Sequence, residues 1–284
     1  MLTRISQIPI ALGRRLRNYG NRLRRRRFRR PSLVALQGFP PVFASGIEVA
    51  AGARRLWIKA DSSLDLLTVT KEVFVENRYC PPDLPVRIGA QDIVFDVGAN
   101  VGVFAIYAAL HTTSEIFAFE PVPANYGLLV KNIETNRLGN VRAIASAVSD
   151  RSKMAEMLLF DGEMTGCRIP SPVLDQPRAG TAKLIRVTCT TIAEAMRNAS
   201  IHRIDFLKMD CEGEEFAILY GMDHALLRNI GTIALEYHDN VGKGHSTNLA
   251  EHLAAQGFEV CLREDEARST LGYLYAWQEK RCEK

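Results

Sequence analysis

From residue 92 onward, short apolar segments alternate with longer segments whose apolar residues follow a helical period. The segments typical of buried strands are 92–97, 115–120, 140–148, 203–210, 230–238, the second half of 248–263, and 271–278. Helices are predicted at 102–111, 124–139, 214–222 and the first half of 248–263. This alternation is typical of a doubly wound α/β sheet, in which ligands bind outside the carboxyl ends of the strands.

Two segments depart from this alternation. Residues 34–90 combine a short strand in RRLWIKA with a helix and a proline-marked loop. They predict an N-terminal elaboration of a main domain at 91–284. Residues 151–200 contain a candidate hairpin and a loop rich in proline and glycine. We therefore expect a variable insertion at 151–200 that lies over the ligand site.

Residues 1–33 form a basic arm with eleven arginines and no acidic residue in positions 1–30. The apolar residues of the arm recur at helical spacing and are Ile5, Ile8, Leu12, Leu16, Tyr19 and Leu23. This pattern fits an amphipathic helix on an anionic membrane surface, an organellar transit peptide or a solvated tail. The sequence leaves these three alternatives open.

The net charge of +4 conceals a difference between the arm and the body of the chain. Removing the eleven arginines of the arm from the 36 basic residues leaves 25, against 32 acidic residues, so the body carries −7. A protein that grips nucleic acid over a broad face would usually have a basic body. The six cysteines form no CxxC pair, which disfavours a zinc framework and indicates free thiols.

The sequence has no apolar stretch with the length and the freedom from charge of a membrane span. It also lacks the apolar region and cleavage site of a secretory signal. We therefore expect a cytoplasmic protein, with peripheral membrane contact through residues 1–30 as an open alternative.

The turn after the first strand of the main domain reads DVGANVG at 96–102. The dinucleotide fingerprint is G-x-G-x-x-G, whereas Gly98 and Gly102 give G-x-x-x-G behind Asp96. A carboxylate here would repel a diphosphate, but it suits S-adenosylmethionine, which carries a sulfonium and an ammonium group. Glu120 ends the second strand, where an acid typically accepts hydrogen bonds from the ribose hydroxyls of adenosine.

Further motifs follow in a recognisable order: DVGANVGVFAIYAA, FAFEPVPANYGLLVKNIETN, AVSD, IDFLKMDCEGEEFAILYG and ALEYH. Over roughly residues 75–277 the chain resembles the FkbM family of S-adenosylmethionine-dependent methyltransferases. The resemblance implies a Rossmann-like class I methyltransferase fold, a doubly wound seven-stranded sheet with one antiparallel strand. It also implies an enzyme of the EC 2.1.1 class that methylates a hydroxyl of a saccharide, glycolipid or secondary metabolite.

The resemblance assigns most of the predicted cofactor site. The residues it implies are Asp96, Gly98, Ala99, Asn100 and Gly102 on the methionine side, Glu120 at the ribose, Ser146 and Ala147 beside the adenine, and Asp210 near the transferred methyl group. Asn125 would support the corner after the second strand. In one departure, Thr191-Ile192-Ala193 stands where the family often has Leu-Asp, so any contribution of an acid from that loop is missing.

Methyl transfer to a hydroxyl requires alignment of the nucleophile and removal of its proton. The candidate catalytic residues are Asp210, Glu236 and His238, at the ends of the fourth and fifth predicted strands of the main domain. Glu236 and His238 are two positions apart and therefore share one side of their strand. A base oriented by a carboxylate, a divalent cation and a purely structural pair are the open alternatives, and we predict no metal site.

The residues after the fourth predicted strand of the main domain narrow the choice of acceptor. Methyltransferases that modify amino groups often carry [DN]-P-P-[YFW] there, whereas this chain has MDCEGE. We expect Cys211 to be a buried thiol rather than a nucleophile. The favoured hypothesis is an O-methyltransferase. A nucleic-acid methyltransferase that uses the arm and a non-catalytic S-adenosylmethionine-binding protein at a membrane are alternatives, and the acceptor and oligomeric state stay open.

Overall fold

A computed structural model describes residues 46–51, 54–60, 63–160, 182–239, 244–265 and 268–278. They belong to one compact unit, Val34–Lys284. The predicted basic arm at 1–33 and most of the predicted proline- and glycine-rich loop lie outside the described residues. Among the described residues, no helix has the length and apolar character needed to cross a membrane.

Most secondary-structure elements outside residues 151–200 follow the order that the hydrophobic pattern predicts. The strands are β1 Gly46–Ala51, β2 Arg54–Lys59, β3 Val94–Val97, β4 Ile116–Phe119, β5 Val141–Ile144, β6 Ala147–Val148, β7 Lys153–Phe160, β8 Ala182–Thr190, β9 Ile204–Met209, β10 Ile230–His238, β11 Glu259–Asp265 and β12 Arg268–Trp277. The helices are α1 Ser63–Phe74, α2 Val103–Ala108, α3 Pro123–Thr135, α4 Ile192–Ala199, α5 Glu215–Gly221, α6 His224–Leu227 and α7 Ser246–Ala255.

The main sheet has seven strands in the order β11-β12-β10-β9-β3-β4-β5. β12 runs antiparallel to both of its neighbours, and the other pairs of neighbouring strands are parallel. The predicted fold class is confirmed, because this is a doubly wound seven-stranded sheet with one antiparallel strand. The parallel arrangement brings the carboxyl ends of β3, β4, β9 and β10 to one edge of the sheet.

Burial of both faces explains why the central strands read as continuous apolar runs. Every residue of β3 and β4 is buried, and so is every residue of α2, which packs against them. Two charged residues interrupt these apolar strands, Asp96 on β3 and Lys208 on β9, and they lie opposite each other in the parallel register. Two opposite charges in neighbouring buried strands mark the start of the functional region.

The N-terminal segment adds an antiparallel β1–β2 hairpin and the helix α1. Two asparagines of α3 and its C-terminal end bind the hairpin: Asn132 accepts from the Lys59 amide at 2.8 Å, and Asn136 accepts from the Trp57 amide at 2.8 Å. Because each asparagine also donates from its own side-chain NH₂ group to the carbonyl of the same hairpin residue, the hairpin edge is satisfied by side chains in place of another strand.

Residues 151–200 are more regular than the sequence suggests. β7 and β8 pair antiparallel, and β6 joins β8 to make a separate three-stranded sheet. Residues 192–199 form α4, whose Ile192, Ala195 and Met196 pack in the core of the main sheet. The Thr191 hydroxyl caps this helix by accepting from the Glu194 amide. Residues 192–199 therefore form a helix of the core, whereas the sequence predicts that they belong to a variable insertion.

Candidate functional site

A cavity opens at the carboxyl ends of β3, β4 and β9, with about 1040 Å³ of empty space including its mouth. Its walls come from residues 97–101, from residues 119–122 and from the stretch 208–214. Helix α1 adds the apolar side chains of Leu66, Val69 and Val73, and β7 adds Met157. The position is that of a small-molecule site in a doubly wound sheet.

The turn after β3 is shaped by its glycines. Gly98 has φ +75, and a Cβ there would lie 1.9 Å from the carbonyl oxygen of Asp210. The backbone amides of Gly98 and Ala99 both donate to the Phe119 carbonyl, at 3.2 and 2.9 Å. Gly102, with φ +92, then begins α2. Only glycine at position 98 lets the turns after β3 and β9 approach this closely.

Asp96 lies behind this turn and does not line the cavity. Its Oδ1 is 3.0 Å from the Lys208 ammonium, and both side chains are almost completely buried. Lys208 also donates to the Gly98 carbonyl at 2.9 Å. Burial lowers the pKa of Lys208, but the carboxylates of Asp96 and Asp210 outweigh it, so the net pKa is raised and the ammonium stays charged. Asp96 therefore acts on the turn through Lys208.

Lys208 is a residue of this region that was not predicted from the sequence. A lysine inside the apolar strand IDFLKM is the signal that could have revealed it, because a buried ammonium requires a partner. The pairing with Asp96 depends on the strand order β9-β3, which a single sequence does not specify.

Glu120 follows β4 and lines the cavity. Its Oε2 accepts from the Asn100 amide at 2.8 Å, and its Oε1 accepts from the Val122 amide at 2.8 Å. Burial raises the pKa of Glu120 to about 7, although the two backbone donors oppose this shift. Each carboxylate oxygen retains acceptor capacity beside the cavity, so the residue can receive hydroxyl donors from a ligand.

The remaining predicted cofactor residues separate into two groups. Ala99, Asn100, Asn125 and Ala147 line the cavity with Gly98 and Glu120. Ser146 does not, because the chain leaves the main sheet after β5 and joins the smaller sheet at β6. Its hydroxyl donates to the Ala147 and Thr188 carbonyls, at 2.9 and 3.0 Å, and the residue lines a second cavity beside β7 and β8.

Of the three candidate catalytic residues, Asp210 alone is among the described residues lining the cavity. Its Oδ2 accepts from the Tyr79 hydroxyl at 3.0 Å. Tyr79 belongs to the N-terminal segment and also lines the cavity, and sequence reasoning did not identify it. Glu236 lies further back and accepts from the Tyr273 hydroxyl at 3.2 Å. Burial and the neighbouring Asp210 raise the pKa of Glu236 to about 8.

His238 ends β10 between two carboxylates. Its Nε2 is 3.5 Å from Glu212 Oε2, and its Nδ1 is 3.5 Å from Glu215 Oε1. Burial disfavours the charged ring, but Glu215, Glu212 and Asp210 outweigh this effect and raise the pKa of His238 to about 10. The neighbouring carboxylates therefore favour a positive charge at the position of this ring.

Glu215 organises the loop after β9. It is fully buried, and its two oxygens accept from the amides of Cys211 and Gly213, at 2.7 and 2.8 Å. Glu212 in this loop has φ +54, a left-handed conformation that is uncommon for a residue with a Cβ. Burial raises the pKa of Cys211 well above its ordinary value, so this residue stays a thiol and not a nucleophilic thiolate.

Comparisons with known proteins identify a family. The model of the family "Methyltransferase FkbM domain" matches residues 96–260. The AMB antimetabolite synthetase AmbE of Pseudomonas aeruginosa is 27% identical over 236 residues, which cover 69% of this chain and 11% of that protein. The chain thus spans about a ninth of that relative's length.

Two shorter relatives are matched over more of their length. The 31-O-demethyl-FK506 methyltransferase FkbM of Streptomyces tacrolimicus is 26% identical, over 69% of this chain and 82% of that protein. The hexuronic acid methyltransferase AglP of Haloferax volcanii is 27% identical, over 56% of this chain and 61% of that protein.

Proposed function

Because this chain belongs to the FkbM methyltransferase family, we propose that it is an S-adenosylmethionine-dependent O-methyltransferase. The proposed acceptor is a hydroxyl of a saccharide, glycolipid or secondary metabolite. The observation that supports the cofactor is the cavity wall, where the glycine turn after β3 meets the buried carboxylate of Glu120.

The residues around the cavity fit the parts of S-adenosylmethionine. The turn at 98–100 and the start of α2 would hold the methionine end, and the helix start favours its carboxylate. Glu120 would accept hydrogen bonds from the ribose hydroxyls. Ala147 and Val148 offer an apolar wall for the adenine. Asp96 and Lys208 would act indirectly, by holding the carbonyl of Gly98 in place.

When bound, the cofactor supplies an electrophilic methyl group. This chain must align the acceptor hydroxyl and take up its proton. Asp210 is the proposed base, because its carboxylate lines the cavity and the Tyr79 hydroxyl fixes one of its oxygens. Glu236 and His238 would act through Asp210 and Glu212, since they lie behind these residues. They are proposed as positioning residues.

The name of one relative supports methylation of an oxygen, and the name of another supports a sugar acid as the acceptor. One is named for a 31-O-demethyl substrate and the other for a hexuronic acid. The apolar side chains that α1 and β7 place in the cavity wall would contact the acceptor skeleton next to its hydroxyl. These side chains come from the N-terminal segment and from the segment 151–200, which is where we expect differences in acceptor preference.

The test has two stages. Calorimetric titration of the full chain with S-adenosylhomocysteine should show saturable binding, and Glu120→Gln should weaken it. Hydroxylated saccharides, lipids and polyketides are then screened for a mass increase of one methylene in the presence of S-adenosylmethionine. A folded protein that does not bind S-adenosylhomocysteine would refute the proposal. Binding without turnover of any acceptor would favour the non-catalytic alternative.

A further inference from the structure

Three side chains with metal-binding groups converge where Asp210 and Glu212 form the wall of the cavity, which we call its polar end; the third, His238, lies behind this wall. Asp210 and Glu212 follow β9, and His238 ends the neighbouring strand β10. One ligand atom from each of the three lies within 4.8 Å of the others. His238 is 26 positions or more away in the chain from Asp210 and Glu212, so it is the fold that brings the three residues together.

His238 and Glu212 are spaced as two ligands of one metal ion would be. His238 Nε2 and Glu212 Oε2 are 3.5 Å apart, longer than a normal charge-assisted hydrogen bond. Two ligands at about 2.1 Å from a tetrahedral metal ion lie about 3.4 Å from each other. A cation placed between these two atoms would therefore need only a small adjustment of either side chain.

The histidine is also held as a metal ligand would be. It is 7% exposed, and among the described residues its Nδ1 has no hydrogen-bond partner at normal distance. That nitrogen faces Glu215 Oε1 at 3.5 Å, and Glu215 is itself fixed by two backbone amides. Histidine ligands commonly direct their second nitrogen at a carboxylate, which orients the ring and leaves the other nitrogen for the metal.

The charge balance of this region favours a cation. Asp210, Glu212, Glu215 and Glu236 all lie close enough to interact with one another or with His238. The nearby ammonium of Lys208 is engaged by Asp96 and by the Gly98 carbonyl. Three carboxylates, those of Asp210, Glu212 and Glu215, thus surround one imidazole, which is an environment that a divalent cation would neutralise.

We propose that Asp210, Glu212 and His238 bind one divalent cation of the Zn²⁺ or Mn²⁺ type at the polar end of the cavity. Two carboxylates with one imidazole suit these ions, whereas Ca²⁺ requires a larger set of oxygen ligands. Asp210 and Glu212 line the cavity, so the open coordination positions face it. The binding of the cation does not depend on the proposed function. A role of the cation in orienting the acceptor hydroxyl does, and Asp210 would then act as a ligand of the cation in place of the base.

Mn²⁺ binding to the full chain, freed of metal by chelation and dialysis, tests the proposal. The electron paramagnetic resonance signal of free Mn²⁺ should fall by one equivalent per chain, and Zn²⁺ should restore it by competition. Glu212→Gln should lower the affinity for Mn²⁺ at least about tenfold. The side chain of Glu212 is 29% exposed, so this variant is expected to fold.

Glu236→Gln is the matched control, because it removes a nearby carboxylate that is outside the ligand set. The affinity of this variant for Mn²⁺ should fall by less than about threefold, because it loses only the electrostatic attraction of a carboxylate that does not coordinate the ion. Absence of saturable Mn²⁺ binding, or equal losses in the two variants, would overturn the proposed site. The same preparations are titrated with S-adenosylhomocysteine, so failure of the metal site and failure of the cofactor site are read separately.

Discussion

At the scale of single residues, Glu120 is the side chain on which cofactor binding is expected to depend most. Both of its oxygens accept backbone amides, so Glu120→Gln would point an NH₂ group at either Asn100 or Val122. Loss of hydrogen bonds to a charged acceptor costs about 1.5–3 kcal/mol, which is about 10–100-fold in affinity. Calorimetry with S-adenosylhomocysteine measures this loss. Glu134→Gln, on the exposed side of α3, is the control and should bind as the wild type does.

The pKa of Glu120 adds a pH dependence to the same interaction. Ribose hydroxyls donate to the carboxylate, and burial raises its pKa to about 7. The affinity for S-adenosylhomocysteine should therefore be full above this value, and it should weaken up to about tenfold one pH unit below it. The contribution of Glu120 to folding stability depends on pH in the opposite direction. Its raised pKa stabilises the folded state below the ordinary value of 4.5, and this stabilisation is lost as the pH rises towards 7.

Titrations with S-adenosylhomocysteine between pH 5.5 and about 8.5 check this prediction, since they bracket the pKa of Glu120. Glu120→Gln has no group to titrate at this position, so its weaker binding should vary less with pH. An affinity of the wild-type protein that does not change across this range would show that Glu120 is not the titrating contact.

The Asp96–Lys208 pair is expected to govern stability more than any exposed ion pair of the chain. Lys208→Met would leave the buried Asp96 carboxylate without its cation, at a cost of about 3–5 kcal/mol in the free energy of unfolding. The double variant Asp96→Asn/Lys208→Met removes the orphaned charge and should recover part of this loss. Urea unfolding of both variants measures the difference, and an equal loss in the two would contradict the argument.

At the scale of elements, the turn after β3 and the loop after β9 fit together only because position 98 lacks a side chain. Gly98→Ala would place a Cβ 1.9 Å from the Asp210 carbonyl oxygen, at φ +75. The backbone conformation alone costs about 1–3 kcal/mol. The overlap must also displace Asp210, so the variant should lose both stability and S-adenosylhomocysteine binding.

Gly127→Ala provides the matched control for this substitution. Gly127 lies within α3, where a Cβ would meet no heavy atom of the described residues within 4 Å. Alanine there should stabilise the protein by about 0.5–1 kcal/mol, because glycine loses more conformational entropy in a helix. Thermal unfolding of the two variants should shift in opposite directions. Destabilisation of both by the same amount would mean that the turn has no special requirement for glycine.

The strands and helices that the sequence predicts are those with a strong local signal. β3 and β4 are short buried segments that are apolar except for Asp96, and the glycines at 98 and 102 predict the turn that follows β3. Helix α4 was missed because its short, polar sequence follows a segment rich in loop residues. Tyr79 has no local signal of function, since its partner is far away in the chain: Asp210 accepts from Tyr79 across 131 positions.

The placement of Ser146 also depends on strand pairing, which a single sequence does not reveal. The segment 140–148 reads as one strand, but the chain changes sheet between β5 and β6. A single sequence gives the hydrophobicity of such a segment and not its pairing. The predicted role beside the adenine assumed a continuous strand, and Ala147 lines the cavity whereas Ser146 does not.

At the scale of the whole molecule, the cavity is assembled from segments that are distant in sequence. The main sheet supplies the glycine turn, Glu120 and Asp210, and the N-terminal segment supplies α1 and Tyr79. Acceptor selection and methyl transfer are thus proposed to share one cavity but to draw on different parts of the chain. Changes in α1 should alter acceptor preference with little effect on the affinity for S-adenosylhomocysteine.

The charge of the arm leads to a separate prediction for the chain that includes the arm. Eleven arginines in residues 1–30 are joined to a body with a net charge of −7, so attraction to an anionic surface must come from the arm. Each arginine near such a membrane contributes about 1 kcal/mol, and salt weakens the attraction. The full chain should therefore float with vesicles that contain anionic lipid, and high salt should release it.

A variant of the full chain with these arginines changed to glutamine should not float, while its S-adenosylhomocysteine affinity should equal that of the wild type. Equal flotation of the two proteins would exclude the arm as a membrane contact, and salt-dependent binding of RNA in place of vesicles would favour the nucleic-acid alternative.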